Sequence, residues 1–215
     1  MESTKKRILK ASRNLFNAQG YSNISIRMIA KGANMSVGNL NYHFRKKNDI
    51  LEALYFEMIS YLDLRLDELN QKNINLSYLL NGTLLNKRKM IEYRFFWVDL
   101  FFLLSNSPKI KKHFDARLSK RKEGYAYIFE KLIEKKLMVN IKKKIELTYL
   151  TSHLINFGNT WLYSSVLNYQ IKDVQNHIRQ QSFLMLSILL PYLTNKGKRE
   201  FYGLFSERVK NKALM

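Results

Sequence analysis

Apolar residues recur along this chain at intervals of three and four, the period of helices. Ile8, Ala11, Leu15 and Ala18 make one stripe, with Leu9 and Phe16 beside it. They predict a first helix over residues 4–19 that Glu2, Ser3 and Thr4 can cap and Gly20 ends. A short second helix opens at Ser25 and carries Ile26, Ile29, Ala30 and Ala33 on one face. It must stop near Gly32. Asn34 is the best non-glycine residue there for a left-handed corner, because its side chain can bond its own backbone. Ser36 then caps a third helix, residues 37–44, which buries Val37, Leu40 and Phe44 and turns Gly38, Asn39, Asn41, Tyr42 and His43 outward.

Beyond Lys47 the pattern stays helical. Leu51, Leu54, Tyr55, Met58, Leu62 and Leu69 mark a long helix over residues 48–70 that ties the first three to the rest. Asn81 and Gly82 offer a break before a helix over residues 86–104. Tyr93, Phe95, Phe96, Trp97, Phe101 and Phe102 surround that helix on all sides, which predicts a fully enclosed element. Pro108 favours a helix start, and the period continues to about Lys136. Further helices are expected over residues 142–168 and 173–193, the latter with Val174, Ile178, Met185, Ile188 and Tyr192 on one stripe. A short one follows from Lys198, with Phe201, Leu204 and Phe205 tucked back.

Residues 25–47, SIRMIAKGANMSVGNLNYHFRKK, thus read as two helices around a tight corner, a helix-turn-helix whose second member can enter a DNA major groove. Asn39 can offer its amide to adenine, Val37 can touch a thymine methyl, and Gly38 permits close approach. Tyr42, His43, Arg45, Lys46 and Lys47 follow where phosphate oxygens would lie. The plainer alternative is an ordinary helical hairpin with a solvated basic end.

Charge sharpens this picture. The 215 residues carry a formal net charge of +20, which implies attraction to a polyanion, nucleic acid or an acidic membrane surface. Residues 1–47 hold ten Lys and Arg against Glu2, about three times the positive density of the remainder. The absence of cysteine excludes disulfides and thiolate metal sites. Residues 1–10 have charge without a following apolar run, so no secretory leader is expected. Neither residues 147–170 nor 183–193 supply about 20 consecutive apolar residues, so no membrane span is expected and a cytoplasmic protein follows.

Residues 6–54 resemble the N-terminal domain of the TetR (tetracycline-repressor type) transcriptional regulators. The likeness rests on Leu15 and Phe16 before Gly20 and Tyr21, Ser25 and Ile26 leading Ile29 and Ala30, then Ser36, Val37, Gly38, Asn39 and Leu40, and Tyr42, His43 and Phe44 with Lys47 and Leu51 following. Asn34 stands where that family usually has a turn glycine, and Asn41 where it often has tyrosine. The resemblance implies an all-α fold: a three-helix helix-turn-helix DNA-binding head, residues 1–47, and an all-helical regulatory and dimerisation domain, residues 48–215. It implies DNA contacts at Arg27, Ser36, Val37, Gly38, Asn39, Tyr42, His43 and Lys47, the last to phosphate. It also implies a homodimer built through the last two long helices, a palindromic double-stranded operator, and a small apolar or aromatic effector that releases a repressor.

Inside the helical body, Asp99 needs a buried partner or a ligand cavity. His153, Asn156, Asn159 and Trp161 either line a pocket or bond neighbouring helices. Trp97, Asp99, Phe102, His153, Asn156 and Trp161 are therefore the candidate ligand residues. No catalytic residue, metal site or cofactor is expected, since His43, His113, His153 and His177 lack metal spacing and no phosphate loop or nucleophile elbow appears. Two other readings remain: a DNA-binding regulator without an effector, and a basic membrane-surface protein, which leaves the corner between Ala33 and Val37 without a purpose.

Overall fold

The computed structural model describes residues 3–67, 73–168 and 172–212, and among these it is helical, with a lone antiparallel bridge between Met138 and Leu193 in place of any sheet. The helices are α1 (Thr4–Gln19), α2 (Ile26–Gly32), α3 (Val37–His43), α4 (Lys47–Asp67), α5 (Leu76–Glu92), α6 (Arg94–Val98), α7 (Leu100–Ser105), α8 (Pro108–Glu134), α9 (Lys144–Asn168), α10 (Val174–Ser187) and α11 (Asn195–Lys212). None of the described helices is long and apolar enough to cross a membrane. The chain divides into two compact units, Met1–Leu64 with Lys89–Arg117, and Arg65–Arg88 with Leu118–Met215.

In the first unit, Ser3 caps α1 by accepting from the Lys6 amide, and Gly20, at φ 79°, closes it with its N–H on the Phe16 carbonyl at 2.9 Å. The buried line of α1 is Ile8, Ser12 and Phe16, not the expected stripe through Ala18, which is exposed. Ser12 can take an interior position because its hydroxyl donates to the Ile8 carbonyl at 2.8 Å and so brings its own partner. On α4 the expected Leu51, Leu54, Tyr55 and Met58 are buried, joined by Ile50 and Ile59, while Leu69 lies outside the described residues.

The aromatic stretch departs from the expected single enclosed helix. Tyr93 (ψ 38°) and Asp99 (ψ 24°) interrupt it, giving the short α6 and α7. Tyr93, Phe95, Phe96 and Trp97 are buried, but Phe101 and Phe102 are 85% and 45% exposed, because the second break re-aims α7. Asn17 of α1 holds the first break. Its Nδ2 donates to the Glu92 carbonyl at 2.8 Å and its Oδ1 accepts from the Phe95 amide at 3.1 Å, supplying partners that a continuous helix would have furnished internally. Tyr93 Oη donates to Glu57 at 2.6 Å and accepts from Arg13 at 3.1 Å. Burial, with the bond to Glu57, holds that phenol above its ordinary range.

In the second unit α5 runs unbroken through Asn81 and Gly82, where a break was expected, since packing of Leu80 and Leu84 overrides one glycine. Helix α8 closes on Lys136 at φ 58°, with Lys136 N–H on the Ile133 carbonyl and Leu137 N–H on the Leu132 carbonyl. The expected helix over residues 173–193 is shorter: α10 ends at Ser187, and a 3-10 turn, Leu190–Tyr192, forms around Pro191. Met185 of its predicted stripe is interior, while Val174 is exposed. Helix α11 begins earlier than expected and buries Phe201; the side chain of Phe205 lies outside the described ones.

Candidate nucleic-acid interface

Two serine caps and one corner build the paired helices of the first unit. Ser25 Oγ accepts from the Met28 amide at 3.3 Å and Ser36 Oγ from the Asn39 amide at 3.2 Å, fixing where α2 and α3 begin. Between them Asn34 sits at φ 52°, its N–H on the Lys31 carbonyl and the Met35 N–H on the Ala30 carbonyl. These are the two bonds of a Schellman closure. Ile29, Ala30, Ala33, Leu40 and Phe44 are buried where the corner folds α3 onto α2.

What remains outside is the row expected to meet DNA. Gly38, Asn39, Asn41 and Tyr42 are exposed, Tyr42 by 86%, and His43 is half-buried with its ring 5.2 Å from that of Tyr42. Val37, expected among the buried residues of α3, is 36% exposed and stands at the edge of this row. A Cβ on Gly38 would meet nothing nearer than Ser36 Oγ at 4.0 Å, so internal packing does not require glycine there. Ser36 is exposed, its hydroxyl engaged in the cap. Arg27 projects from α2 as an exposed side chain.

Lys47 has a second attachment that sequence reasoning missed. Its Nζ donates to the carbonyls of Tyr21 at 2.9 Å and Ile24 at 2.8 Å and lies 4.2 Å from the centre of the Tyr21 ring. It thereby ties the first turn of α4 to the α1–α2 connection, and its partial burial pushes the ammonium below its ordinary range. An ammonium carries three donors, so one is left for an outside acceptor. Asp49 finishes the start of α4 by accepting from the Lys46 amide at 2.9 Å.

The ligand candidates are divided between the units. Trp97, buried with an Nε1 that finds no partner among the described residues, the half-buried Asp99 and the exposed Phe102 belong to the first. His153, Asn156 and Trp161 lie on α9 in the second, the first two exposed and Trp161 buried. That unit contains an apolar cavity of about 40 Å³ lined by Leu79, Thr83, Tyr125, Ile128, Phe129, Leu154, Met185, Leu186 and Leu189, which includes none of the six. Lys87 of α5, 2% exposed, was also missed. Its signal is present in the sequence: a lysine in line with Leu80, Leu84 and Ile91, on an apolar stripe.

An exposed, polar, glycine-bearing recognition helix, held by caps in a strongly basic segment, defines a helix-turn-helix regulator of DNA. Residues 8–54 match the family described as bacterial regulatory proteins, tetR family, and residues 57–201 match the TetR family described as bacterial transcriptional repressor. The chain belongs to the TetR family, whose members are DNA-binding transcriptional regulators and not enzymes. A curated relative, the probable HTH-type transcriptional regulator YttP of Bacillus subtilis (strain 168), is 40% identical over 55 residues. That match spans about a quarter of each protein, 26% of this chain and 27% of the other. Among solved structures, a TetR-family transcriptional regulator from Marinobacter aquaeolei VT8 shares the fold with a TM-score of 0.84 at 24% identity, over 96% of this chain and 98% of that one. PfmR of Thermus thermophilus does so at 0.64 and 17% identity, over 84% and 97%. The ketosteroid transcriptional regulator KstR2 of Mycobacterium tuberculosis does so at 0.65 and 18%, over 87% and 95%.

Proposed function

We propose that the chain is a homodimeric repressor acting in the cytoplasm. In this reading residues 1–47 bind a palindromic operator, and residues 48–215 carry dimerisation and the response to a small apolar or aromatic effector. The observation that carries the reading is the outward row of α3, where Gly38 is free of any packing role beside the exposed Asn39 and Tyr42. Asn39 reads a base edge, Val37 and Gly38 set the approach, and Arg27, Ser36, Tyr42, His43 and Lys47 hold the backbone. The description of the C-terminal match as a transcriptional repressor supports the sign of regulation. The apolar cavity of the second unit supports an effector, which acts by binding one conformation better than another.

The dimer is supported by an exposed apolar stripe on α9, Ile145, Tyr149, Tyr163, Val166 and Leu167, with Leu184 on α10. His153 and Asn156 lie on the exposed side of the same helix. Selection of genomic fragments, followed by binding titrations with variants, tests the DNA assignments. Asn39→Ala is expected to change base preference at a cost of about 1–3 kcal/mol, whereas Lys47→Ala weakens all duplexes alike and lowers the salt slope by about one. Equal loss of sequence preference in both variants contradicts the assigned roles.

A further inference from the structure

Arg13 stands three and four positions before Phe16 and Asn17, so all three project from one side of α1. That side rests on the break after α5. Asn17 spans the break with one amide, Nδ2 donating to the Glu92 carbonyl at 2.8 Å and Oδ1 accepting from the Phe95 amide at 3.1 Å. The Phe16 ring lies 5.2 Å from that of Phe95. One turn back along α1, Arg13 Nη1 donates to Tyr93 Oη at 3.1 Å and stands 3.7 Å from Glu57 of α4, to which Tyr93 Oη donates at 2.6 Å.

These bonds fix a register. The break leaves one carbonyl and one N–H that the helix no longer pairs, and only a side chain with both a donor and an acceptor satisfies the two from one position. Sliding α1 by one residue takes Asn17 off both groups at once and parts Arg13 from Tyr93. Apolar contact alone has no direction and would tolerate that slip.

The start of α4 supplies another attachment, where Lys47 Nζ donates to the carbonyls of Tyr21 and Ile24. It lies ten positions before Glu57, about 15 Å along the helix. A head held at one point swivels about it; held at two so far apart, it keeps one orientation on α4. Helices α2 and α3 follow α1, because Gly32 of α2 seats against it: a Cβ there would stand 3.3 Å from Leu15 Cδ1 and 3.9 Å from Ala11 Cβ.

Two recognition helices on one palindrome stand about 34–36 Å apart, one DNA turn, and each base pair added between the half-sites shifts one of them by about 3.4 Å and a tenth of a turn. The orientation of each head on its own α4 enters that distance. We propose that Arg13, Asn17 and Tyr93 are positioning residues that make the regulator selective for half-site spacing, acting through the angle at which α3 is presented and not through contact with a base. This assignment rests on the dimer and palindrome of the reading above and names the residues that set the spacing.

Competition binding by the full chain tests it, on synthetic duplexes built from the tightest palindrome of the genomic selection. The set comprises that palindrome, versions with one or two base pairs inserted between its half-sites, and an isolated half-site. The wild-type chain is expected to lose at least about tenfold in affinity on each insertion. Tyr93→Phe, which keeps the ring and removes the hydroxyl, should shrink that penalty to about threefold or less and leave the isolated half-site bound within about twofold of wild type. Asn17→Ala should do the same and serves as the second variant should the first fail to fold. Glu57→Gln, which keeps an acceptor for Tyr93 Oη, should retain the wild-type penalty. A loss of stability alone lowers affinity for every duplex by one factor and leaves the penalty untouched. Variants that keep the full penalty, variants that lose the isolated half-site as strongly as the palindrome, or a wild-type chain indifferent to insertion overturn the assignment. A wild-type chain that holds the isolated half-site as tightly as the palindrome overturns the palindromic reading itself, and the assignment with it.

Discussion

Asn34 shows how much one side chain can decide. A left-handed corner costs most residues about 1 kcal/mol, and asparagine accepts it more readily than most, so the turn forms without glycine. Asn34→Gly is expected to raise stability by about 0.5–1 kcal/mol and Asn34→Ala to lower it by a similar amount, as read by urea unfolding. This corner and both serine caps were legible in the sequence because their chemistry is local: each cap accepts from an amide three positions on, and the corner's two backbone bonds close within five. Lys47 was legible only in part. Its place at the start of α4 could be read from the sequence, but its bonds to Tyr21 and Ile24 span more than twenty positions, and periodicity carries no signal for such a contact.

Among whole elements, long helices with one apolar stripe were readable and interrupted ones were not. α1 came out at its expected bounds, although Ser12 rather than Ala18 shares its buried face. The break at Tyr93 lacks the glycine or proline that usually marks an interruption, because a side chain from α1 supplies the missing bonds. Asn17→Ala leaves the Glu92 carbonyl and the Phe95 amide without that partner. A loss of about 1–3 kcal/mol in urea unfolding is expected, with little effect from the neighbouring, exposed Asn14→Ala. Conversely, Gly82 was a conspicuous breaker that broke nothing, since its helix is buried on both sides of it. The candidate ligand residues were chosen for their chemical type. The cavity instead is lined mostly by ordinary apolar residues, which periodicity cannot distinguish from core.

For the molecule as a whole, the all-α class and the position of the helix-turn-helix followed from period and charge, while the proposed dimer rests on surfaces that a sequence does not display. Met185 of the predicted α10 stripe lines the cavity, so substitutions there strike the interior. Leu184, 52% exposed, and Val166 are the informative positions for assembly. Leu184→Glu combined with Val166→Glu is expected to give a folded monomer by light scattering, with operator affinity reduced at least about tenfold because two heads no longer bind together. A double variant that remains dimeric removes α9 and α10 from the proposed interface.

Gly197 holds α11 against the end of α8: a methyl group added there would stand 2.0 Å from the Leu137 carbonyl oxygen and 3.2 Å from the Leu193 side chain. Backbone cannot yield as a flexible side chain does, so Gly197→Ala should be tolerated only while the rest of the unit has stability to spare. A strain carrying it is therefore expected to be a conditional mutant. Chromatin immunoprecipitation should find the protein on its genomic sites in cool cultures and absent from them after a shift to warmth, giving geneticists a thermostat for this regulator.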